Sequence, residues 1–196
     1  MAEAVNVSAS GPTMGGLPSQ AGFLEPDRIV ASFGLEKGDH VADFGAGHGY
    51  WTIPLARIVG GDGKVYAIDI QKSVLEIIRA RAKLEHLLNI ELVWADLDEP
   101  EGSKLKDNFV EFVIIANILF QAEDKPGLFR EAHRILREKG RVAIIEWDGT
   151  PAPLGPPLNL RVRKEIARQW ALQAGLIFDR EFETGSHHYG LMFRKP

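Results

Sequence analysis

Short apolar runs alternate along the chain with stretches whose apolar residues recur every three or four positions. The runs are rich in β-branched residues and predict seven strands, at residues 40–44, 64–70, 89–94, 109–116, 141–147, 177–183 and 188–195. The other stretches predict helices that open at Glu25-Pro26, cover 50–59, follow a Ser73 cap, run from Asp124-Lys125-Pro126 to Lys139-Gly140, and cover 161–174. Strands alternating with helices predict an α/β fold with a parallel sheet.

Two segments depart from this alternation. Only Thr184-Gly185-Ser186 separates the last two strands, which predicts a hairpin and an antiparallel edge of the sheet. Residues 96–108, between the third and fourth strands, are polar and too weakly periodic to predict a helix. We expect one domain over residues 23–196, preceded by a flexible tail over residues 1–22 that is rich in Ser, Gly, Pro and Ala.

Composition narrows the class of protein. The 196 residues are 45% apolar and 26% charged, as expected of one folded globular domain. A net charge of −4 argues against a nucleic-acid partner. The absence of cysteine excludes disulfides, thiolate metal sites and cysteine nucleophiles. No apolar run approaches the roughly 20 residues of a membrane span, and the amino terminus lacks a secretory signal, so we expect a cytoplasmic protein.

The sharpest motif is a glycine-rich loop after the first predicted strand, Asp43-Phe44-Gly45-Ala46-Gly47-His48-Gly49. Glycines at such a junction let the backbone turn tightly and let a ligand approach it closely. Tyr50 stands where a dinucleotide fingerprint has its third glycine, which favours a flatter, less charged ligand than a pyrophosphate. By itself, a glycine-rich loop is also compatible with a plain structural turn.

Polar residues follow three further strands. Asp69 ends the second strand, Asp96 follows the third and Asn117 follows the fourth. A carboxylate at the end of the second strand suits the vicinal hydroxyls of a ribose. Taken by itself, each of these residues is also typical of a helix cap or a turn, and for Asp96 taken by itself we favour that interpretation. Together they predict a ligand crevice at the carboxyl edge of the sheet.

With these motifs the chain resembles the class I S-adenosylmethionine-dependent methyltransferases, and residues 129–147 resemble the small-molecule, quinone-biosynthesis-like branch. The resemblance implies a Rossmann-like, doubly wound seven-stranded sheet of order 3-2-1-4-5-7-6 with strand 7 antiparallel. It also implies S-adenosylmethionine as cofactor. The implied cofactor-binding residues are Asp43, Phe44, Gly45, Ala46, Gly47, Gly49, Tyr50, Asp69, Ile70, Asp96, Leu97 and Asn117.

Methyl transfer from a sulfonium needs a general base only when the acceptor must lose a proton. The candidates for catalysis lie near the predicted crevice: Asn117, Glu146, Asp148, His187, His188 and Tyr189. Adjacent histidines in a strand point to opposite faces, so we expect no metal site. Asn117-Ile118-Leu119-Phe120 lacks the two prolines found here in many enzymes that methylate amide or nucleobase nitrogens, which disfavours those acceptors.

The acceptor stays open between alternatives. The leading hypothesis is a small molecule. The segment that could cover the site, residues 150–157, is short, which suggests an open site and so also suits a bulky acceptor such as a protein side chain. The third alternative is a binding module without turnover. Basic clusters at 79–83 and 161–164 are typical of solvated helix faces, although the second leaves an acidic acceptor open. A dehydrogenase is the most distant alternative, because of Tyr50.

Overall fold

A computed structural model of the protein describes residues 24–152 and 155–196, so the predicted tail, residues 1–22, lies outside the described residues. The elements are α1 (Pro26–Ala31), β1 (His40–Phe44), α2 (Thr52–Val59), β2 (Lys64–Asp69), α3 (Lys72–Leu84), β3 (Ile90–Trp94), β4 (Val110–Ala116), α4 (Lys125–Ile135), β5 (Leu136–Trp147), a 3₁₀ turn (Leu158–Leu160), α5 (Lys164–Gln173), β6 (Ile177–Phe182) and β7 (His188–Arg194). Among the described residues, none of the helices is long and apolar enough to span a bilayer.

The seven strands of the described residues form one sheet of order β3-β2-β1-β4-β5-β7-β6. Strands β1 to β5 pair in parallel, whereas β7 runs antiparallel to both β5 and β6. This confirms the predicted fold and strand order. Because β1 and β4 lie at the centre and are neighbours, the crossover direction changes between them. Ligands of open α/β sheets bind at the carboxyl ends of such strands.

The core lies on both faces of the sheet, and β4 divides it. Phe112 and Ile114 pack toward α1 and α2, whereas Val113 and Ile115 pack toward α4 and α5. All four side chains are fully buried, and burying one such side chain contributes about 1.5–3 kcal/mol. Burial on both faces explains why β4 is an unbroken apolar run rather than an alternating one.

Two predicted helix limits around α3 and α4 are wrong. Ser73 lies inside the first turn of α3, whose N-cap is Gln71 without a side-chain cap. Helix α4 ends at Ile135 instead of at Lys139-Gly140, and Leu136 already pairs with Val110 as the start of β5. Leu136 continues the apolar spacing of the helix in the sequence, but its backbone is extended and its side chain is buried in the sheet.

Two helices begin later than predicted. Helix α2 starts at Thr52 because the glycine loop continues through Tyr50 to the N-cap Trp51. Helix α5 starts at Lys164, not at Arg161. The guanidinium group of Arg161 instead donates to the main-chain carbonyls of residues 148, 150 and 156, at 3.1, 2.8 and 3.0 Å. Arg161 therefore belongs to the connection that leaves β5.

The segment between β3 and β4 contains no helix, as predicted. It is tied to α4 through Arg134, which donates to the carbonyl of Leu105 at 2.9 Å and pairs with Asp107 and Glu131. Glu131 in turn accepts from the main-chain N–H of Ser103 at 3.0 Å. These side-chain contacts replace the crossover helix that is usual at this point of the fold.

Candidate functional site

The glycine loop bends sharply around the end of β2. The main-chain N–H groups of Gly45 and Ala46 both donate to the carbonyl of Ile68, at 2.9 and 3.0 Å. Gly45 has a φ of +69°, and a Cβ added there would lie 2.5 Å from Cδ1 of Ile118. Gly47, which lines the cleft, has a φ of +50°, and a Cβ added there would meet only the carbonyl oxygen of Gly45, 3.9 Å away. Gly45 therefore permits close packing, whereas Gly47 leaves room for a ligand.

Asp69 ends β2 directly below this loop. Its Oδ2 accepts from the N–H of Gly47 at 2.9 Å, and its Oδ1 accepts from the N–H of Gln71 at 2.8 Å. The residue is only 8% exposed, so these two bonds fix the orientation of the carboxylate. Each carboxylate oxygen can accept a further hydrogen bond. The geometry thus suits a ligand that offers two neighbouring hydroxyl groups.

A cleft of about 540 Å³ opens at this edge of the sheet. Its lining contains five carboxylate residues, Asp69, Asp96, Asp98, Glu99 and Glu123, while none of the described residues in the lining is Lys, Arg or His. A larger cleft of about 600 Å³ lies between α3 and β3 and contains none of the predicted site residues. The acidic cleft favours a cationic ligand over a dinucleotide pyrophosphate.

The far wall of the cleft comes from segments that follow β3 and β4. Asp96 accepts from the N–H of Asp98 at 3.0 Å, and Asp98 accepts from the N–H groups of Glu123 and Asp124 at 3.0 and 2.9 Å. Asp98 thereby clamps the two segments together. The side chain of Ile70 is 56% exposed at the rim. Its main-chain carbonyl accepts from the indole N–H of Trp94 at 2.8 Å.

Half of the predicted cofactor residues line this cleft: Gly45, Gly47, Asp69, Ile70, Asp96 and Leu97. The others are absent from the lining: Asp43, Phe44, Ala46, Gly49, Tyr50 and Asn117. Several of them support the loop from behind. A Cβ on Gly49 would lie 3.0 Å from Ile78 of α3, and the hydroxyl of Tyr50 donates to the carbonyl of Leu24. Sequence reasoning missed Asp98, Glu99 and Glu123, which belong to no recognised motif, and Ile118, which directly follows Asn117.

Comparison with known proteins agrees with this geometry. Residues 35–180 match the model of a family described as a methyltransferase domain. The chain is a class I S-adenosylmethionine-dependent methyltransferase. Its cofactor is accordingly S-adenosylmethionine.

Individual relatives add detail to this assignment. The methyltransferase is 30% identical over 127 residues to demethylmenaquinone methyltransferase of Staphylococcus aureus, which covers 65% of this chain and 51% of that protein. The chain thus spans about half the length of the curated relatives it matches. A SAM-dependent methyltransferase from Aquifex aeolicus has a TM-score of 0.81 at 26% identity, covering 91% and 94% of the two chains. The [4+2]-cyclase SpnF, at 16% identity and a TM-score of 0.74 over 91% and 88%, shares the fold alone.

Asp43 of the methyltransferase is a buried scaffold group. It is 1% exposed, and its Oδ2 accepts from Oγ1 of Thr52 at 2.6 Å, which ties β1 to the first turn of α2. Burial raises the pKa of its carboxyl to about 7, and the charge of Asp69 adds to the shift. Asp43 therefore joins the two ends of the glycine loop, although burying its ionised carboxylate costs free energy.

Asn117 has a strained backbone at the end of β4. Its φ is +54°, its N–H donates to the carbonyl of Ile145 at 2.9 Å, and its buried Oδ1 has no hydrogen-bond partner among the described residues. Left-handed backbone and an unpaired buried oxygen each cost about 1–3 kcal/mol. Strain of this kind concentrates at functional positions.

Two of the predicted catalytic groups hold main-chain atoms. Glu146 is fully buried, accepts from the N–H of Leu119 at 2.8 Å, and has its pKa raised to about 7 by burial. The hydroxyl of Tyr189 donates to the carbonyl of Val162 at 3.0 Å, and burial raises its pKa far above the usual range. The phenol therefore remains neutral.

The three remaining candidates lie together where β5 ends and β7 begins. Asp148 accepts from the N–H and the hydroxyl of Thr150, and that hydroxyl lies 2.9 Å from Nδ1 of His187. The ring of His188 packs against Trp147 at a tilt of 41° with centroids 4.2 Å apart, and burial lowers the pKa of His188. Within residues 24–152 and 155–196, no three His, Asp or Glu side chains are grouped so that they could hold a metal ion.

The basic clusters are largely engaged in contacts within the chain. Arg161 binds the carbonyls described above, Lys164 pairs with Glu181 at 2.9 Å, and the guanidinium of Arg168 lies 4.0 Å from the ring centroid of Phe178. On α3, Arg81 donates to the carbonyl of His48 at 2.6 Å. Arg79, Arg81 and Lys83 lie on α3, as expected for a helix face, whereas Arg161 and Arg163 precede α5, so the prediction of a helix face is wrong for that part of the second cluster.

Proposed function

We propose that the acidic cleft binds S-adenosylmethionine and that the enzyme transfers its methyl group to a small molecule at the carboxyl edge of β4 and β5. The observation that carries this proposal is the lining of five carboxylates without a basic side chain. The cofactor carries a sulfonium and an ammonium group against one carboxylate, so a negative field favours it. A dinucleotide would bring two phosphates into the same field.

The roles of the lining residues follow from their chemistry. Asp69 would accept the ribose hydroxyls, the exposed side chain of Ile70 and that of Leu97 would cover the adenine, and the loop at Gly45 and Gly47 would carry the methionine part. The cofactor supplies an activated methyl group. The residues of the chain need to hold donor and acceptor in line and to exclude water, and such orientation can contribute about 7–11 kcal/mol.

Support for a small, non-acidic acceptor comes from two sides. The relatives in Staphylococcus aureus are named for a quinone precursor, demethylmenaquinone. Arg161, Lys164 and Arg168 are tied to carbonyls, a carboxylate and an aromatic ring, so they offer little to an anionic acceptor.

His187 is our candidate general base. Its Nδ1 contacts a hydroxyl that Asp148 orients. Glu146 and Tyr189, by contrast, bind main-chain groups, and the ring of His188 packs against Trp147.

Methyl-labelled S-adenosylmethionine, incubated with the enzyme and a whole-cell extract, tests the acceptor class. We expect label in the small-molecule fraction, and less of it with Asp69→Ala. Label on protein would instead show that the acceptor is a protein side chain and would contradict a small-molecule acceptor. Binding of the cofactor without any transfer of label would favour the module without turnover.

A further inference from the structure

The segment between β4 and α4 forms one wall of the cofactor cleft. Ile118, Gln121 and Glu123 all line the cleft, although the segment belongs to neither a strand nor a helix. Its first residue, Asn117, still donates to the carbonyl of Ile145 and so extends the β4–β5 pairing by one residue. Beyond that point the main chain leaves the sheet, and the next hydrogen bond to β5 is made to a side chain instead of a main-chain carbonyl.

That side chain is Glu146. Its Oε1 accepts from the N–H of Leu119 at 2.8 Å, and its Oε2 accepts from the N–H of Trp147 at 3.3 Å. The N–H of Ile118 faces the same carboxyl and acts to lower its pKa, against the larger effect of burial. The residue is fully buried beside β7, where it pairs with Tyr189. A carboxylate buried this deeply is costly unless several donors satisfy it. The free-energy cost of burying Glu146 indicates that its carboxylate has a role, because an apolar side chain could fill the space but could not bind the main-chain N–H groups.

The held segment reaches the glycine loop through Ile118. Cδ1 of Ile118 fills the place that a Cβ on Gly45 would take, so this side chain packs directly on the loop backbone. A continuous line of contacts thus runs from the carboxylate of Glu146, through the N–H of Leu119 and the adjoining side chain of Ile118, to Gly45 at the cleft.

We propose that Glu146 is a positioning residue for the cofactor, which holds Ile118 against Gly45 through the main chain of residues 118 and 119 and thereby shapes the methionine end of the cleft. It acts at a distance and does not itself bind the cofactor. This inference rests on the cofactor site proposed above.

A double-mutant cycle on the full chain tests this role, with the dissociation constant of S-adenosylhomocysteine as the readout. Glu146→Gln keeps one acceptor oxygen but turns an NH₂ group toward main-chain donors, so we expect binding to weaken about tenfold. Ile118→Ala should also weaken it. If Glu146 acts through Ile118, Glu146→Gln should add less than about twofold in the Ile118→Ala background.

The matched control is Glu111, whose carboxylate accepts from the N–H of His40 at 2.8 Å at the opposite edge of the sheet. Glu111→Gln should bind S-adenosylhomocysteine like the wild type. Wild-type affinity in Glu146→Gln, or effects that multiply fully in the double variant, would overturn the inference. A wild type that fails to bind S-adenosylhomocysteine would instead overturn the cofactor site, and the inference with it.

Amide hydrogen exchange on the wild type covers the case in which Glu146→Gln does not fold. The N–H of Leu119 should exchange slowly and become slower still, together with those of the glycine loop, when S-adenosylhomocysteine binds. Fast exchange at Leu119 that the ligand leaves unchanged would contradict the role of Glu146.

Discussion

At the scale of single residues, Gly45 and Gly47 are only two positions apart in the same loop but have different roles. Gly45 has no room for a Cβ because Ile118 occupies the space, whereas a Cβ on Gly47 would meet only the carbonyl of Gly45, 3.9 Å away. Both have positive φ, so alanine at either position costs about 1–2 kcal/mol of backbone strain.

This difference predicts distinct outcomes for two alanine variants. Gly45→Ala should lose more stability than Gly47→Ala, because a steric clash adds to the backbone strain. Gly47→Ala should keep more of its stability but bind S-adenosylhomocysteine more weakly, since Gly47 lines the cleft and the added methyl group takes up space there. Urea unfolding and calorimetric titration measure the two effects, and equal losses of stability would contradict this assignment.

Asp43 predicts a stability that depends on pH. Burial raises its pKa from 3.8 to about 7, so the folded state prefers the protonated carboxyl. The stability that Asp43 contributes is therefore fully present below about pH 4 and is lost as the pH rises through about 7. Asp43→Asn keeps an acceptor for the hydroxyl of Thr52 but cannot ionise.

At pH 8 we expect the free energy of unfolding of Asp43→Asn to exceed that of the wild type by about 1–3 kcal/mol. At pH 5 most of this difference should disappear, because the carboxyl of the wild type is then protonated. Urea unfolding at both pH values measures the difference. A variant that is destabilised equally at both would show that the buried carboxylate carries no such cost.

The role of a residue could be predicted where the residue belongs to a sequence motif, but not where contacts with residues distant in sequence determine that role. Asp69 and the glycine loop follow from their positions after β1 and β2. Glu146 was predicted as a possible base from its place at the end of β5, but its hydrogen bond to Leu119, 27 residues away in sequence, decides what it does. Asp98 was missed because it clamps a segment that has no pattern of its own.

At the scale of the elements, six of the seven predicted strands agree with the structure to within one residue, whereas β5 begins at Leu136 instead of Arg141. Apolar runs identify a strand by its own residues, whereas helix limits at α4 and α5 depend on partners. Leu136 keeps helical spacing but pairs with Val110 in the sheet. Arg161 looks like a helical residue, yet its guanidinium organises the connection after β5.

Arg161 gives a prediction at this scale. Arg161→Ala removes hydrogen bonds to three carbonyls and the contact of the guanidinium with the ring of Trp147, 5.1 Å away. We expect a loss of about 1–3 kcal/mol in stability and faster proteolysis between β5 and α5. The affinity for S-adenosylhomocysteine should stay unchanged, because this connection lies outside the lining of the cleft. Unchanged proteolysis would contradict the role of Arg161.

At the scale of the whole molecule, the sheet order brings the ends of β1, β2, β3 and β4 to one edge, where the acidic cleft opens. Alternation of strands and helices predicts a parallel sheet, and the family resemblance supplies its order. The charge of the cleft could not be predicted in the same way, because Asp98, Glu99 and Glu123 come together only through folding. The likeness to a cyclase in fold alone means that the site, and not the architecture, carries the functional argument.

Calorimetric titration of S-adenosylhomocysteine into the wild type and into Asp69→Asn tests the central claim most directly. The matched control is Asp39→Asn, because Asp39 also accepts a main-chain N–H, that of Glu36 at 2.9 Å, but away from the cleft. We predict saturable binding to the wild type and to Asp39→Asn, binding about 10–100-fold weaker in Asp69→Asn, and none of NAD. A wild type that ignores S-adenosylhomocysteine, or an Asp69→Asn variant that binds it as well as the wild type does, would contradict the assignment of the cleft.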